Sequence, residues 1–184
     1  TFSWHMNEYA DKSLRPVEVK RGFISQSKET AEEIDDMTMS DILTVNGKIG
    51  WIGNSGRPDL AAGHSIIAGE YKTKSANLVS MCNACVKQGK SHKISLRVHC
   101  IPPADRRLVS FCDSAFDFGG DRHQQGWLVG FTNQYLNQNR KAPVSLALWK
   151  SQKLPKKAGS PQWVEAYAAS YACADMNWCR CLLY

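Results

Sequence analysis

RLVSFCDSAFDFGGDRHQQGWLVGFTNQYLNQNRKAPVSLALWKSQKLPKKAGSPQWVEAYAASYACADMNWCRCLL, residues 107–183, decides the fold. Three short apolar stretches, 107–114, 126–133 and 143–151, are rich in β-branched and aromatic residues and separated by polar, turn-rich connections. They read as strands. The Ala-rich run 160–183 that follows reads as one long helix, with Ser160 as N-cap and Pro161 at the first helical position. Just upstream, Ile94, Leu96 and Val98 alternate with Ser95, Arg97 and His99, the period-two pattern of a half-buried strand, which Pro102-Pro103 ends.

Working further toward the N-terminus, the period changes to that of a helix. Ile34, Met37, Ile42, Val45, Ile49 and Ile52 recur at spacings of three to five, which predicts a helix over about 30–53, with an interruption near Gly47. Ser27, Thr30 and the acidic run after them supply a helix start. Gly53 to Gly56 end it, and Arg57-Pro58-Asp59 open a shorter helix through Ile67. A third helix over about 75–89 carries Leu78, Met81, Cys82, Cys85 and Val86 on its apolar face. No internal repeat is visible. The plan is α+β: a helical part over 1–90, then strands and a long helix over 91–184.

The 184 residues, 43% hydrophobic and 22% charged, fit one medium domain or two small ones and are enough to bury a core. No apolar run approaches the roughly 18 to 20 residues that span a bilayer, so no membrane span is expected. Thr1–Ala10 resembles neither a signal nor a transit peptide, and the missing initiator Met suggests a piece of something longer. The net charge of +6 divides unevenly. Residues 1–41 hold 5 basic and 9 acidic side chains, and residues 42–184 hold 18 and 8, a balance of +10. Such a body attracts a polyanion, although solubility alone also accounts for a moderate basic excess. Seven cysteines, an odd number, point to a reducing, intracellular compartment, cytoplasm or nucleus. Cys82 and Cys85 form a C-x-x-C and Cys179 and Cys181 a C-x-C, which raises structural zinc. The helical setting of Cys82 and Cys85, without a Gly-rich knuckle, favours ordinary buried thiols.

The acids of the second part gather at Asp113, Asp117, Asp121, Glu165 and Asp175. Between Asp121 and Glu165 there is no acid, only Arg122, Arg140, Lys141, Lys150, Lys153, Lys156 and Lys157. A strand-end Asp and a helix Glu brought together can hold Mg²⁺ through oxygen ligands, with basic flanks taking a phosphodiester. Two such metals activate water and stabilise the leaving oxygen of hydrolysis. The same residues are equally read as a strand-capping Asp113 and a Glu165 on a solvated helix face. Asn133, Gln134, Asn137, Gln138 and Asn139 are potential groove donors or a solvated turn, while Trp127 and Trp149, inside strand patterns, read as core.

At these residues the sequence resembles the end of the Pol polyprotein of copia-type LTR retrotransposons, where reverse transcriptase runs into the ribonuclease H domain. NGKIGWIGNSGRPDLA (46–61) is similar to the family's stretch ending in T-R-P-D-I, and VSFCDSAFD to the strand carrying its D-A-D-W. DRHQQGWLVGFT (121–132) is similar to its R-R-S-T-S-G-Y strand, and APVSLALWKSQKLP (142–155) to its P-I-S-W-S-S-K-K-Q segment. Residues 160–183 resemble its S-S-T-E-A-E-Y helix and the W-L-R-x-L-L after it. The five blocks fall in family order over about residues 46–183.

The resemblance implies an RNase H-like unit: three antiparallel strands, then the first helix, with residues 1–90 akin to a reverse-transcriptase thumb or connection region. It implies Asp113 and Glu165 as catalytic, Mg²⁺-binding carboxylates, and Arg122, Arg140, Lys141, Lys150, Lys153, Lys156 and Lys157 as contacts to an RNA/DNA hybrid or other nucleic acid. The chain departs from the pattern in three ways. Ala115 replaces the second Asp of D-A-D, and an ungapped alignment puts Trp163 at the first Glu of T-E-A-E-Y and Glu165 at the second. The third and fourth carboxylates would follow Tyr184. The expectation is therefore an incomplete RNase H-like unit that binds nucleic acid without cleaving it. The alternative is a non-catalytic, retroelement-derived subunit whose open sheet edge is covered by a protein partner.

Overall fold

Helices and antiparallel strands segregate along the chain into an α+β arrangement in the computed structural model, which describes residues 1–18, 34–117, 123–138, 140–155 and 157–182. Two units form: Met6–Ile94, and Thr1–His5 together with Ser95–Tyr184. The elements in chain order are β1 (Phe2–Trp4), α1 (Asn7–Ser13), α2 (Asp36–Gly56), α3 (Pro58–Gly69), α4 (Asn77–Ser91), β2 (Leu96–Val98), β3 (Arg107–Ala115), β4 (Gln124–Thr132), β5 (Ser145–Lys153) and α5 (Pro161–Cys181).

In the helical unit, α2 begins later than its apolar period suggests. Asp35 has extended backbone and its carboxylate accepts the Thr38 N–H at 2.6 Å, which fixes the cap one residue before Asp36. The expected start at Ser27–Thr30 lies outside the described residues. No interruption occurs at Gly47. A single glycine costs the helix about 1 kcal/mol. Burial of Ile42, Val45, Ile49 and Ile52, each worth roughly 1.5–3 kcal/mol, outweighs it. The core these four join contains Ala10 and Leu14, Leu60 and Ile67 from α3, and Leu78, Val79, Cys82 and Val86 from α4. Gly50 lets α3 approach α2 closely: a Cβ there would stand 2.5 Å from the His64 ring, whereas one on Gly53 would make only an ordinary 3.5 Å contact with the Ala61 backbone.

Arg57 and Asp59 tie this unit together. Arg57 is fully buried, and its Nε and Nη2 donate to the two Asp59 oxygens at 2.9 Å each. Its Nη1 donates to the Gly89 carbonyl at 2.9 Å, near the end of α4. Pro58 between them occupies the first helical position, where its missing N–H costs nothing. The R-P-D sequence thus joins the start of α3 to the end of α4.

In the second unit, β3, β4 and β5 form an antiparallel meander in that order. Register pairs Cys112 with Trp127 and Lys150, and Asp113 with Gly126 and Ser151. Paired residues share a face and neighbours along a strand alternate, so the sheet has two distinct sides. On one, Trp127 and Val129 pack with Leu108, Leu148 and the α5 residues Tyr171, Ala172, Met176 and Cys179. Nearer the start of α5, Val164 packs with Leu154, Ala158, Phe116 and Tyr167. On the other side lie Val109, Phe111, Asp113, Gly126, Leu128, Trp149 and Ser151. The strand expected over 94–98 is only three residues long and does not join the meander. It pairs with β1, through Phe2 opposite Val98 and Trp4 opposite Leu96.

Candidate functional site

Asp113 stands near the end of β3, and its pairing with Gly126 sends its side chain to the face opposite Trp127 and α5. It is exposed. Glu165 lies in the second turn of α5, next to the buried Val164, and is also exposed. The two carboxylates sit toward the same end of the unit, since Val164 packs with Phe116, the residue just after β3. They nonetheless project from different sides of the sheet. Among the described residues neither hydrogen-bonds or pairs with another side chain, and no cluster of three or more His, Cys, Asp or Glu could hold a metal ion.

Mg²⁺ demands near-octahedral oxygen ligation, and a pair of carboxylates serves it only when both face one volume that water and phosphate complete. Asp113, on the face away from α5, and Glu165, on α5, join no third His, Cys, Asp or Glu in such a group among the described residues. Of the remaining acids of the cluster, Asp175 is engaged on the α5 side, Asp117 contributes a backbone N–H, and Asp121 is undescribed. Asp175 accepts the Trp127 indole N–H at 2.6 Å and lies 3.7 Å from Lys150 Nζ. The Asp117 backbone N–H donates to His123 Nδ1 at 3.1 Å. Asp121 lies outside the described residues.

The basic residues divide in the same way. Lys150 is on the α5 side, held between Asp175 and the Trp127 ring, whose centre is 5.9 Å from its Nζ. Arg140 lies over the Tyr135 ring at 4.8 Å, so its guanidinium is oriented although exposed. Lys141 and Lys157 are exposed on the connections before and after β5. Lys153 ends β5, exposed and opposite Gln124, on the Asp113 side of the sheet. Arg122 and Lys156 lie outside the described residues, as do Asn139 and the side chain of Asn137.

Two features here escaped sequence reasoning. His123 is buried, stacks on Phe116 at 4.7 Å, and its carbonyl accepts the Leu154 N–H at 2.8 Å. It ties Phe116, just after β3, to Leu154, just after β5. Trp127 is core, but Trp149 is only half-buried and shares its face with Phe111, 50% exposed. An open cavity of about 230 Å³ lies near His99, Cys100, Asp105 and Tyr135, and a shallow one of about 630 Å³ near Lys87, His92 and Lys93 in the helical unit. Neither contains Asp113 or Glu165.

The C-x-x-C lies inside α4. Cys82 is fully buried, and burial together with the neighbouring Cys85 thiol pushes its pKa up to about 11; burial alone raises that of Cys85. A Cβ on Gly63 would overlap the Cys85 sulfur, so the thiol fills the space between α3 and α4. Among the described residues no helix is long and apolar enough to cross a membrane. No family model matches the chain, and neither a curated protein nor a solved structure matches it.

Proposed function

We propose that this chain is a nucleic-acid-binding, non-cleaving relative of the copia-type RNase H-like unit. The observation that carries the reading is the order of the second unit. A three-stranded antiparallel meander leads straight into one long helix, with exposed Lys141, Lys153 and Lys157 on and around the last strand. An RNA/DNA hybrid is recognised through phosphates and 2′-hydroxyls. Lysines and the oriented Arg140 supply that kind of contact without base specificity. Asp113 and Glu165 face different sides, so no hydrolytic step is assigned to them.

The test is fluorescence anisotropy with a labelled RNA/DNA hybrid, alongside a Mg²⁺-dependent cleavage assay of the same hybrid. Binding whose logarithm falls linearly with log salt is expected, and replacing Lys141 or Lys157 by Ala should reduce the slope by about 1 each. Cleavage should be absent. No binding at low salt would refute the interface, and cleavage lost in Asp113→Asn would refute the non-catalytic assignment. A second reading, a protein-binding subunit, is favoured by the exposed Trp163, Trp178 and Leu182 on and just beyond α5. Sedimentation that depends on Trp163 and Trp178 would support it.

A further inference from the structure

β3 forms one edge of the meander, and among the described residues nothing pairs with its outer side. It is nine residues long, Arg107–Ala115, and keeps an unbroken register against β4. No backbone group of these residues bonds outside the meander among the described residues. Natural edges of that length are blunted by a proline, a bulge or a charge near the middle. β3 has none of these. Its two charges, Arg107 and Asp113, flank the uncharged stretch LVSFC, in which Phe111 is 50% exposed.

The strand is also complementary to itself. Arg107 and Asp113 lie three residues either side of Ser110 and share the face away from α5. In an antiparallel pair of β3 strands with Ser110 opposite Ser110, each Arg107 stands opposite an Asp113. Each Val109 then meets a Phe111, and each Leu108 a Cys112. The neighbouring registers lose this match. Centred on Val109, the pairing sets Asp113 against Asp105; centred on Phe111, it sets Arg107 against Ala115 and Asp113 against Val109. Arg107 is exposed and only its Nη1 is bonded, to the Ala104 and Arg106 carbonyls at 3.1 and 2.8 Å, so Nε and Nη2 are left for a carboxylate.

We propose that β3 pairs antiparallel with β3 of a second copy of this chain, about a dyad at Ser110, joining two three-stranded meanders into one continuous sheet. The inference rests on the protein-binding reading above, names the partner, and uses a different surface from Trp163 and Trp178. Main-chain hydrogen bonds along the edge supply the attraction, and the Arg107–Asp113 pairs fix the register. The long helices fit beside one another. α5 packs over β3 and β4, against Leu108, Trp127 and Val129. With strands about 4.8 Å apart, a helix over the β3–β4 midline stands about 5 Å from the dyad. The two α5 axes then run antiparallel about 10 Å apart, the spacing of packed helices.

Sedimentation equilibrium of the full chain over about 1–100 μM, where interfaces of modest area dissociate, should show a reversible dimer. Arg107→Asp and Asp113→Arg should each raise the dissociation constant on the order of 10- to 30-fold, because two facing pairs per dimer turn from unlike to like charge. The double reversal should restore it. Ser110→Cys should give a disulfide between copies at that position on mild oxidation, since facing residues lie about 4.5–5.5 Å apart at Cα. Peptide mapping should find no Cys112–Cys112 link, those residues standing about 13 Å apart along the ladder. A monomer throughout the range, a dimer indifferent to both reversals, or no link at position 110 overturns the proposal. A dimer lost in Trp163→Ala and Trp178→Ala but kept in both reversals also overturns it, while leaving the protein-binding reading standing. Exchange of the outward β3 amides should slow as the dimer forms. Full protection in a dilute monomer would put another segment of the same chain on this edge and overturn the proposal as well.

Discussion

Replacing Asp59 by Ala should cost the helical unit about 3–5 kcal/mol, the loss seen when one partner of a buried ion pair is removed. The magnitude follows from what Arg57 would keep. Its side chain has no exposure, and two of its three nitrogens, Nε and Nη2, give their 2.9 Å bonds to Asp59. Without Asp59, Nη1 still reaches the Gly89 carbonyl at 2.9 Å, but the charge has no counter-ion. Gln88 Nε2, which donates to Asp59 Oδ2 at 3.2 Å, loses an acceptor as well. Against a typical total of about 5–15 kcal/mol, that is a large fraction. For a unit of this size each 1 kcal/mol shifts the midpoint by about 4–8 °C, so a fall of at least about 12 °C is expected in a thermal melt followed by circular dichroism. The double replacement Arg57→Met with Asp59→Leu should recover much of the loss, since two apolar groups leave no orphan charge. The pH dependence has a definite sign. Burial alone would raise the Asp59 pKa, but hydrogen bonds and charge from Arg57 outweigh it and hold the carboxyl below its ordinary 3.8. A carboxyl depressed in the folded state contributes stability that is complete above the unfolded pKa and is lost as pH falls through the folded one. The wild type should therefore lose this increment only below about pH 4, and Asp59→Asn should lack that acid limb. A cost under about 1 kcal/mol for Asp59→Ala, or acid limbs that coincide, would refute the view that this pair holds α3 against α4.

Three other perturbations test the packing. Gln125 is 1% exposed and neither its amide nitrogen nor its oxygen has a hydrogen-bond partner among the described residues, so Gln125→Leu should stabilise the second unit by about 1–3 kcal/mol in urea titrations; a loss of stability would mean that a buried water satisfies the amide. Gly50→Ala should destabilise the helical unit by about 1–3 kcal/mol, because the new methyl meets the His64 ring, whereas Gly47→Ala, with nothing within 4 Å, should be neutral or stabilising. Thiol titration of the native chain at pH 8 should label the exposed Cys100, Cys112, Cys173 and Cys181 and spare Cys82 and Cys179 until the chain unfolds; prompt labelling of Cys82 would contradict its burial.

How far the sequence carries depends on which physical signal each feature uses. The meander and α5 were legible because their apolar period, turn residues and Ser160-Pro161 start all act locally. The start of α2 was misplaced because apolar spacing extends back past the cap, and only the Asp35–Thr38 hydrogen bond marks where the helix begins. β1 was invisible for a related reason. Three residues, Phe2 to Trp4, carry too little pattern to read, and they are a strand only because Leu96–Val98 pairs with them. Trp127 and Trp149 looked alike in sequence, both aromatic within strands. Their fates differ by the parity of their positions, which no local pattern reports without knowing which face the helix covers.

The same parity governs the carboxylates. Asp113 and Cys112 are adjacent, and one of them must face Trp127 and α5 while the other faces away. Register decides which, and register is fixed by burial of Trp127 and Val129 on the central strand, with Gln125 drawn in beside them. Slipping β3 by one residue would turn Asp113 toward the helix but would also carry Leu108 out of its packing with α5 and bring Val109 and Phe111 in. Phe111 would then compete for the space that Ala172 leaves above the sheet. A metal-competent pair is therefore opposed by packing as well as by the small number of acids, and no single substitution at Asp113 or Glu165 restores it. Moving the carboxylate to the α5 side by Cys112→Asp separates the two constraints. If parity alone keeps the carboxylates apart, that variant should bind Mg²⁺ detectably by calorimetry where the parent does not. If it binds no better, the distance between β3 and Glu165, rather than the face, is what the fold imposes.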